Sequence, residues 1–183
     1  SYSLSFCNFG EVMSHNTYYI LTKSGGKYGL GHLSRMQTLA SELRKLDVSV
    51  VVMTNNHPSN ALIPGIYDIF YSENYPINFI DKNAVVIVDD KQISRQECAK
   101  IRNKNRSLIL IDNPSPYLSY DFAIFPNAHM SQRDFNVVNK SPDDILCGFD
   151  YVIISDKCKE SKWLSRKYNG KFVSFFAGGT DPG

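Results

Sequence analysis

The stretch Thr17 to Met53, TYYILTKSGGKYGLGHLSRMQTLASELRKLDVSVVVM, decides the fold. Thr17 to Lys23 (TYYILTK) is short and apolar and reads as a buried strand. Leu33 to Leu46 sets Leu33, Met36, Leu39, Ala40, Leu43 and Leu46 along one face at helical spacing. Val48 to Met53 (VSVVVM) is rich in β-branched residues and predicts a second strand. Strands apolar throughout, joined by a helix, belong to a parallel sheet covered on both faces.

The pattern continues outward. Asn55 to Pro64, with two prolines, reads as a loop or short helix. Strands are expected at Tyr67 to Tyr71, Ala84 to Val88 (AVVIV) and Ser107 to Ile111 (SLILI). Phe122 to Phe125, Tyr151 to Ile154 and Lys171 to Phe176 are shorter candidates. Ser94 to Asn103 reads as a helix, with Ser94 and Glu97 spaced as a capping box. Lys159 to Tyr168 reads as another. The expectation is an α/β fold, a doubly wound (Rossmann-like) parallel sheet. Ser1 to Asn16 carries little periodicity and reads as a leader; residues 17–170 form the domain, and 171–183 open a second one. In such sheets ligands bind beyond the carboxyl ends of the strands. The informative segments are therefore 24–32, 55–57, 89–91, 112–116 and 126–129.

Composition narrows the function classes. The 183 residues are 43% hydrophobic, enough to bury a core. Lys and Arg number 20 against 18 Asp and Glu, so the charge balance carries no nucleic-acid footprint. The basic run Lys100 to Arg106 reads as a solvated helix end. The cysteines, Cys7, Cys98, Cys147 and Cys158, form no C-x-x-C pair, so neither a zinc site nor a disulfide framework is expected. Reduced thiols fit a cytoplasmic protein. No apolar run approaches the ~20 residues of a membrane span. The first 16 residues lack the basic start and apolar stretch of a signal peptide. No motif calls for a metal or a redox cofactor.

The segment Ser24-Gly-Gly-Lys-Tyr-Gly-Leu-Gly-His32 joins the first strand to the first helix. It is not a dinucleotide fingerprint, because Ser34 stands where the third glycine belongs. It is not a P-loop, because no Gly-Lys-Ser/Thr occurs. Gly29 and Gly31 can let backbone approach a ligand closely. His32 lies at the helix start, where free N–H groups and the positive dipole end disfavour imidazolium. A neutral imidazole can take a proton from water or from a sugar hydroxyl. The alternative is that His32 caps the helix and the glycines only make a turn. Arg35, one turn on, either contacts a phosphate or carboxylate or has a surface or ion-pair role. Asp89 and Asp90 either orient His32 or bind sugar hydroxyls, or else serve a helix cap or a turn. Asp112-Asn113-Pro114 reads as turn chemistry. Asn127 and His129 flank a cleft loop, His129 reading as a surface residue; His57 reads as a loop residue. Gly178, Gly179 and Thr180 could cradle a phosphate through backbone N–H groups.

Gly29-x-Gly31-His32-x-x-Arg35 followed by Leu39-Ala40 resembles the G-x-G-H-x-x-R-x-x-x-L-A signature of one enzyme group. It contains the UDP-sugar hydrolase of pseudaminic acid biosynthesis and related spore-coat polysaccharide proteins. Val85 to Asp89, Ile109 to Asn113, Asp121 to Asn127, Ile145 to Tyr151 and Val173 to Pro182 resemble further blocks of that family, in order. The resemblance implies the N-terminal half of a GT-B fold. It implies hydrolysis of a UDP-linked amino or deoxy sugar to free sugar and UDP, in surface-polysaccharide or nonulosonic acid biosynthesis. His32 would activate water and Asp89 would position it. Gly29, Gly31, Arg35, Asp90 and Asn127 would contact substrate, and Gly178, Gly179 and Thr180 the nucleotide phosphates. The partners implied are the UDP-sugar and a C-terminal nucleotide-binding domain, with a homodimer as a further option. Two other functions fit the residues: a glycosyltransferase of the same fold, and a non-catalytic nucleotide-sugar-binding module. The run Asp89-Asp90-Lys91 departs from the family, which often places Tyr shortly after the first Asp.

Overall fold

The computed structural model describes residues 17–25, 28, 31–55, 67–70, 74–103, 106–113, 115, 118–126 and 144–154. Of residues 67–70 and 149 it describes the backbone. The expected leader and the opening of a second domain lie outside these residues, as do the stretches read as strand 171–176 and helix 159–168.

Strands β1 (Tyr18–Thr22), β2 (Val50–Thr54), β3 (Tyr67–Phe70), β4 (Val85–Asp89), β5 (Ser107–Ile111), β6 (Phe122–Phe125) and β7 (Ile145–Cys147) form one sheet. Its order is β3-β2-β1-β4-β5-β6-β7, and every pairing is parallel. The chain thus winds outward from β1 in one direction and from β4 in the other, the doubly wound order of a Rossmann-like sheet. Helix α1 (Gly31–Arg44) joins β1 to β2, and α2 (Arg95–Arg102) joins β4 to β5. Parallel crossovers are right-handed. Crossovers leaving β1 and β4 in opposite directions must therefore place their helices on opposite faces.

The core shows both layers. Ile20, Val52, Ile87 and Ile111 pack with Leu33, Met36 and Ala40 of α1. Tyr19, Leu21, Val86, Val88, Leu108 and Leu110 face the other way, with Cys98 and Ile101 of α2. Successive strand residues point to opposite faces. Strands buried on both sides therefore read as unbroken apolar runs. Helix α2 begins with the expected capping box: Glu97 N–H donates to Ser94 Oγ at 3.2 Å, and Ser94 N–H donates to Glu97 Oε2 at 2.8 Å.

Two expectations are corrected. Leu46 does not complete the apolar face of α1, and it is 71% exposed. The helix ends at Arg44, and Asp47 turns the chain away in the left-handed region at φ 59°. The strand in this region is Ile145–Cys147, not Tyr151 to Ile154. Gly148 ends it at φ +114°, donating its N–H to Phe125 O, and residues 149–151 form a 3₁₀ turn. Among the described residues no helix is long and apolar enough to cross a membrane.

The corrected helix end separates two leucines by effect. Leu33→Ala, deep in the core, should cost about 2–5 kcal/mol. Leu46→Ser should stay within about 0.5 kcal/mol of the parent. Urea denaturation of both variants checks this.

Candidate functional site

The strand register sets the floor of the site. Thr22 lies opposite Thr54 on one side and Asp89 on the other, so β1, β2 and β4 end at one level. The winding reverses between β1 and β4, and the loops after these strands part there. The loop after β1 is tied down at its root. Ser24 N–H donates to Asn55 Oδ1 at 2.8 Å, and the Ser24 and Thr54 hydroxyls lie 2.9 Å apart. Gly25 then turns the chain at φ 75°, and Tyr28 N–H donates to Gly25 O at 3.0 Å.

Gly31 opens α1, so His32 and Arg35 lie on its first turns, facing the end of β4. Asp89, the last residue of β4, is buried between them. Its Oδ1 lies 2.8 Å from His32 Nδ1. Arg35 Nε donates to Asp89 Oδ2 at 2.6 Å, and Arg35 Nη2 donates to Oδ1. Arg35 Nη2 also lies 3.3 Å from His32 Nδ1. Nδ1 cannot both donate to the carboxylate and accept from the guanidinium. The shorter contact, to a group that only accepts, fixes the proton on Nδ1. Burial works to raise the Asp89 carboxyl, but Arg35 and His32 outweigh it and hold the group below the usual carboxylate range. Burial likewise works against the Arg35 cation, and Asp89 more than restores it.

Asp90, one residue on, is tied to a different set of groups. Tyr75 Oη donates to its Oδ2 at 2.7 Å, and Lys23 Nζ sits 2.8 Å from the same oxygen. Gln92 N–H donates to Oδ1 at 2.8 Å. The Lys23 ammonium lies 5.5 Å from the ring centres of both Tyr28 and Tyr75. Burial alone would lower its pKa, but Asp90 reverses the sign and raises it. Asn113 Nδ2 donates to Asp90 O at 3.1 Å, and Asn113 Oδ1 accepts Ser115 N–H at 3.1 Å, the Asx turn expected there. Asp112, left-handed at φ 54°, does more than turn the chain. Its Oδ2 lies 3.0 Å from Lys91 Nζ and 3.6 Å from Arg35 Nη1.

These residues surround a cavity of about 170 Å³ lined by Lys23, Tyr28, His32, Asp89, Asp90, Lys91 and Gln92. Tyr28 Oη donates to Gln92 Oε1 at 3.1 Å, linking the loops after β1 and β4. The expected His32, Asp89 and Asp90 meet here. Arg35 does not line the cavity; it braces Asp89 from behind. Gly31 is at the helix start as expected, and a Cβ built on it would meet nothing within 4 Å. Gly29, Asn127, Gly178, Gly179, Thr180, His57 and His129 lie outside the described residues. The sequence reading missed Lys23, Tyr75 and Gln92, and placed Tyr28 and Lys91 in informative segments without giving either a role. Lys23 had a signal, a charge directly ending an apolar strand. Tyr75 had none, since it reaches Asp90 only through the fold. Among the described residues no group of three His, Cys, Asp or Glu side chains is placed to hold a metal ion.

Arg35→Met should leave the Asp89 carboxylate buried with His32 as its remaining partner here, costing roughly 3–5 kcal/mol at neutral pH. In the parent, the depressed carboxyl makes the pair's contribution complete above the ordinary value of about 4. It is lost as pH falls through the lower folded value. In the variant the buried carboxyl can escape its cost by taking up a proton. The stability gap should therefore narrow on acidification, which denaturation at a series of pH values measures.

No family model matches the chain. It is 30% identical over 179 residues to an uncharacterized protein of the archaeon Methanocaldococcus jannaschii, and the match takes in 89% of this chain and 37% of that protein. The chain spans little more than a third of the length of that relative.

Proposed function

We propose that the chain hydrolyses a UDP-linked amino or deoxy sugar, with His32 as the base, in the cytoplasmic synthesis of a surface polysaccharide or nonulosonic acid. The observation that carries this reading is the His32–Asp89 pair at the reversal of the sheet. Asp89 accepts a hydrogen bond from Nδ1–H, which leaves Nε2 as an acceptor. Nε2 has no partner among the described residues, and the ring lines the cavity. A base oriented by a buried carboxylate is the arrangement by which imidazole activates water or a hydroxyl.

Nε2 takes a proton from water as the water oxygen bonds to the anomeric carbon. The bond from that carbon to the phosphate oxygen breaks, and its electron pair leaves with UDP. A cavity of about 170 Å³ is smaller than the roughly 300–1,000 Å³ of drug-sized ligand sites. These residues would hold the sugar and the adjoining phosphate. The nucleotide would rest on another surface, for which the resemblance supplies a second GT-B domain. The open space at Gly31 supports a close approach of ligand to the start of α1.

A second reading, binding without turnover, draws on Arg35. Its guanidinium already engages both Asp89 oxygens, leaving less of that charge to support an imidazolium. Phosphorus NMR of the protein mixed with UDP-linked amino sugars tests both. Release of UDP by the parent, slowed about 10²–10⁴-fold in His32→Ala, supports hydrolysis. Release only with an added acceptor alcohol would identify a transferase. Binding without release identifies the module. Equal release by parent and variant removes His32 from the chemistry.

A further inference from the structure

Lys23 and Lys91 line the cavity and Arg35 stands behind it, and the three cations differ in how far they can be moved. Arg35 is held by Asp89, whose side chain is 0% exposed. Lys23, 18% exposed, is held by Asp90 at 2%. Taking either cation away would strand a buried carboxylate, which is strongly unfavourable. Lys91 is different. Its side chain is 57% exposed and lines the cavity, and its partner Asp112 is reached by a second cation, Arg35 Nη1. An ion pair this exposed contributes little to stability. If Lys91 moves away, Asp112 keeps Arg35 beside it. The network is thus arranged so that one cation can change partners without leaving a buried charge alone.

We propose that Lys91 is the cation that meets the substrate, exchanging Asp112 for a phosphate oxygen next to the bond that breaks. This rests on the hydrolytic reading. It adds to it the group that receives the developing charge. When the bond between the anomeric carbon and the phosphate oxygen breaks, the electron pair settles on that oxygen. An ammonium facing it stabilises the charge where it forms. His32 takes the proton of the attacking water, and Lys91 faces the departing phosphate. The two groups approach the cavity from different elements, His32 from the start of α1 and Lys91 from the loop after β4.

Inorganic pyrophosphate is the probe, titrated by calorimetry into the parent, Lys91→Met and Lys91→Arg. Lys91→Met should bind at least about tenfold more weakly, the loss of one charge-assisted hydrogen bond. Lys91→Arg should recover most of the affinity. Circular dichroism should show the parent fold throughout, as the exposure of Lys91 implies. Equal binding by the parent and Lys91→Met overturns the proposal, as does a parent that binds no pyrophosphate. The failure of the two readings is separable. Lys91-dependent pyrophosphate binding without UDP release sinks hydrolysis and leaves Lys91 as an anion site. UDP release that needs His32, with pyrophosphate binding indifferent to Lys91, does the reverse.

Discussion

A carboxylate buried at the end of a central strand must be matched by charge and hydrogen bonds, because moving it out of water costs several kcal/mol. Asp89 is such a group, and both side chains that satisfy it come from the first turns of α1. Helix packing alone would let α1 slide or rotate somewhat over the sheet. The demand of Asp89 fixes where His32 and Arg35 must be. It therefore ties the start of the helix to the end of β4, across the point where the winding reverses. The apolar contacts of Leu33 and Met36, next to His32 and Arg35 in sequence, and of Ala40 one turn on then fall into place.

Two adjacent aspartates would repel if they shared one environment. The pleat of the strand keeps them apart, since neighbouring residues face opposite sides of a sheet. Val88 belongs to the α2 layer, so Asp89 turns toward α1. Asp90 turns back toward the α2 layer, where Tyr75 meets it. Each carboxylate finds its own cation, Arg35 for Asp89 and Lys23 for Asp90. The cavity lies where the two sets meet, with His32 contributed by one and Lys23 by the other.

The sequence carried the sheet because its strands are short, apolar and separated by helical spacing. Those are local properties. Ser94 and Glu97 marked the start of α2 for the same reason. The end of α1 was misread because Leu46 continues the helical spacing while the backbone has already turned at Asp47. The strand at 145–147 was passed over in favour of Tyr151 to Ile154; what sets it is the pairing with β6 and the glycine after it. In the site, His32, Asp89 and Asp90 were legible because they sit where strands and helix begin or end. Tyr75 was not, and the ion pair of Arg35 was legible only as one option without its partner, because these contacts span 15 and 54 residues of sequence. No periodicity records such separations.

The charges around the cavity form a gradient rather than a set of equal pairs. Asp89 is wholly enclosed, Asp112 is slightly open at 15%, and Lys91 is mostly in water. Interactions in the enclosed part are strong and costly to break, so they hold the histidine ring and the backbone in place. Those at the open end are weak and replaceable, so a ligand can compete for them without unfolding anything. Fold and recognition can share one network on this arrangement. The part that must not move is the part from which water is excluded, and the part that must respond is the part water already reaches.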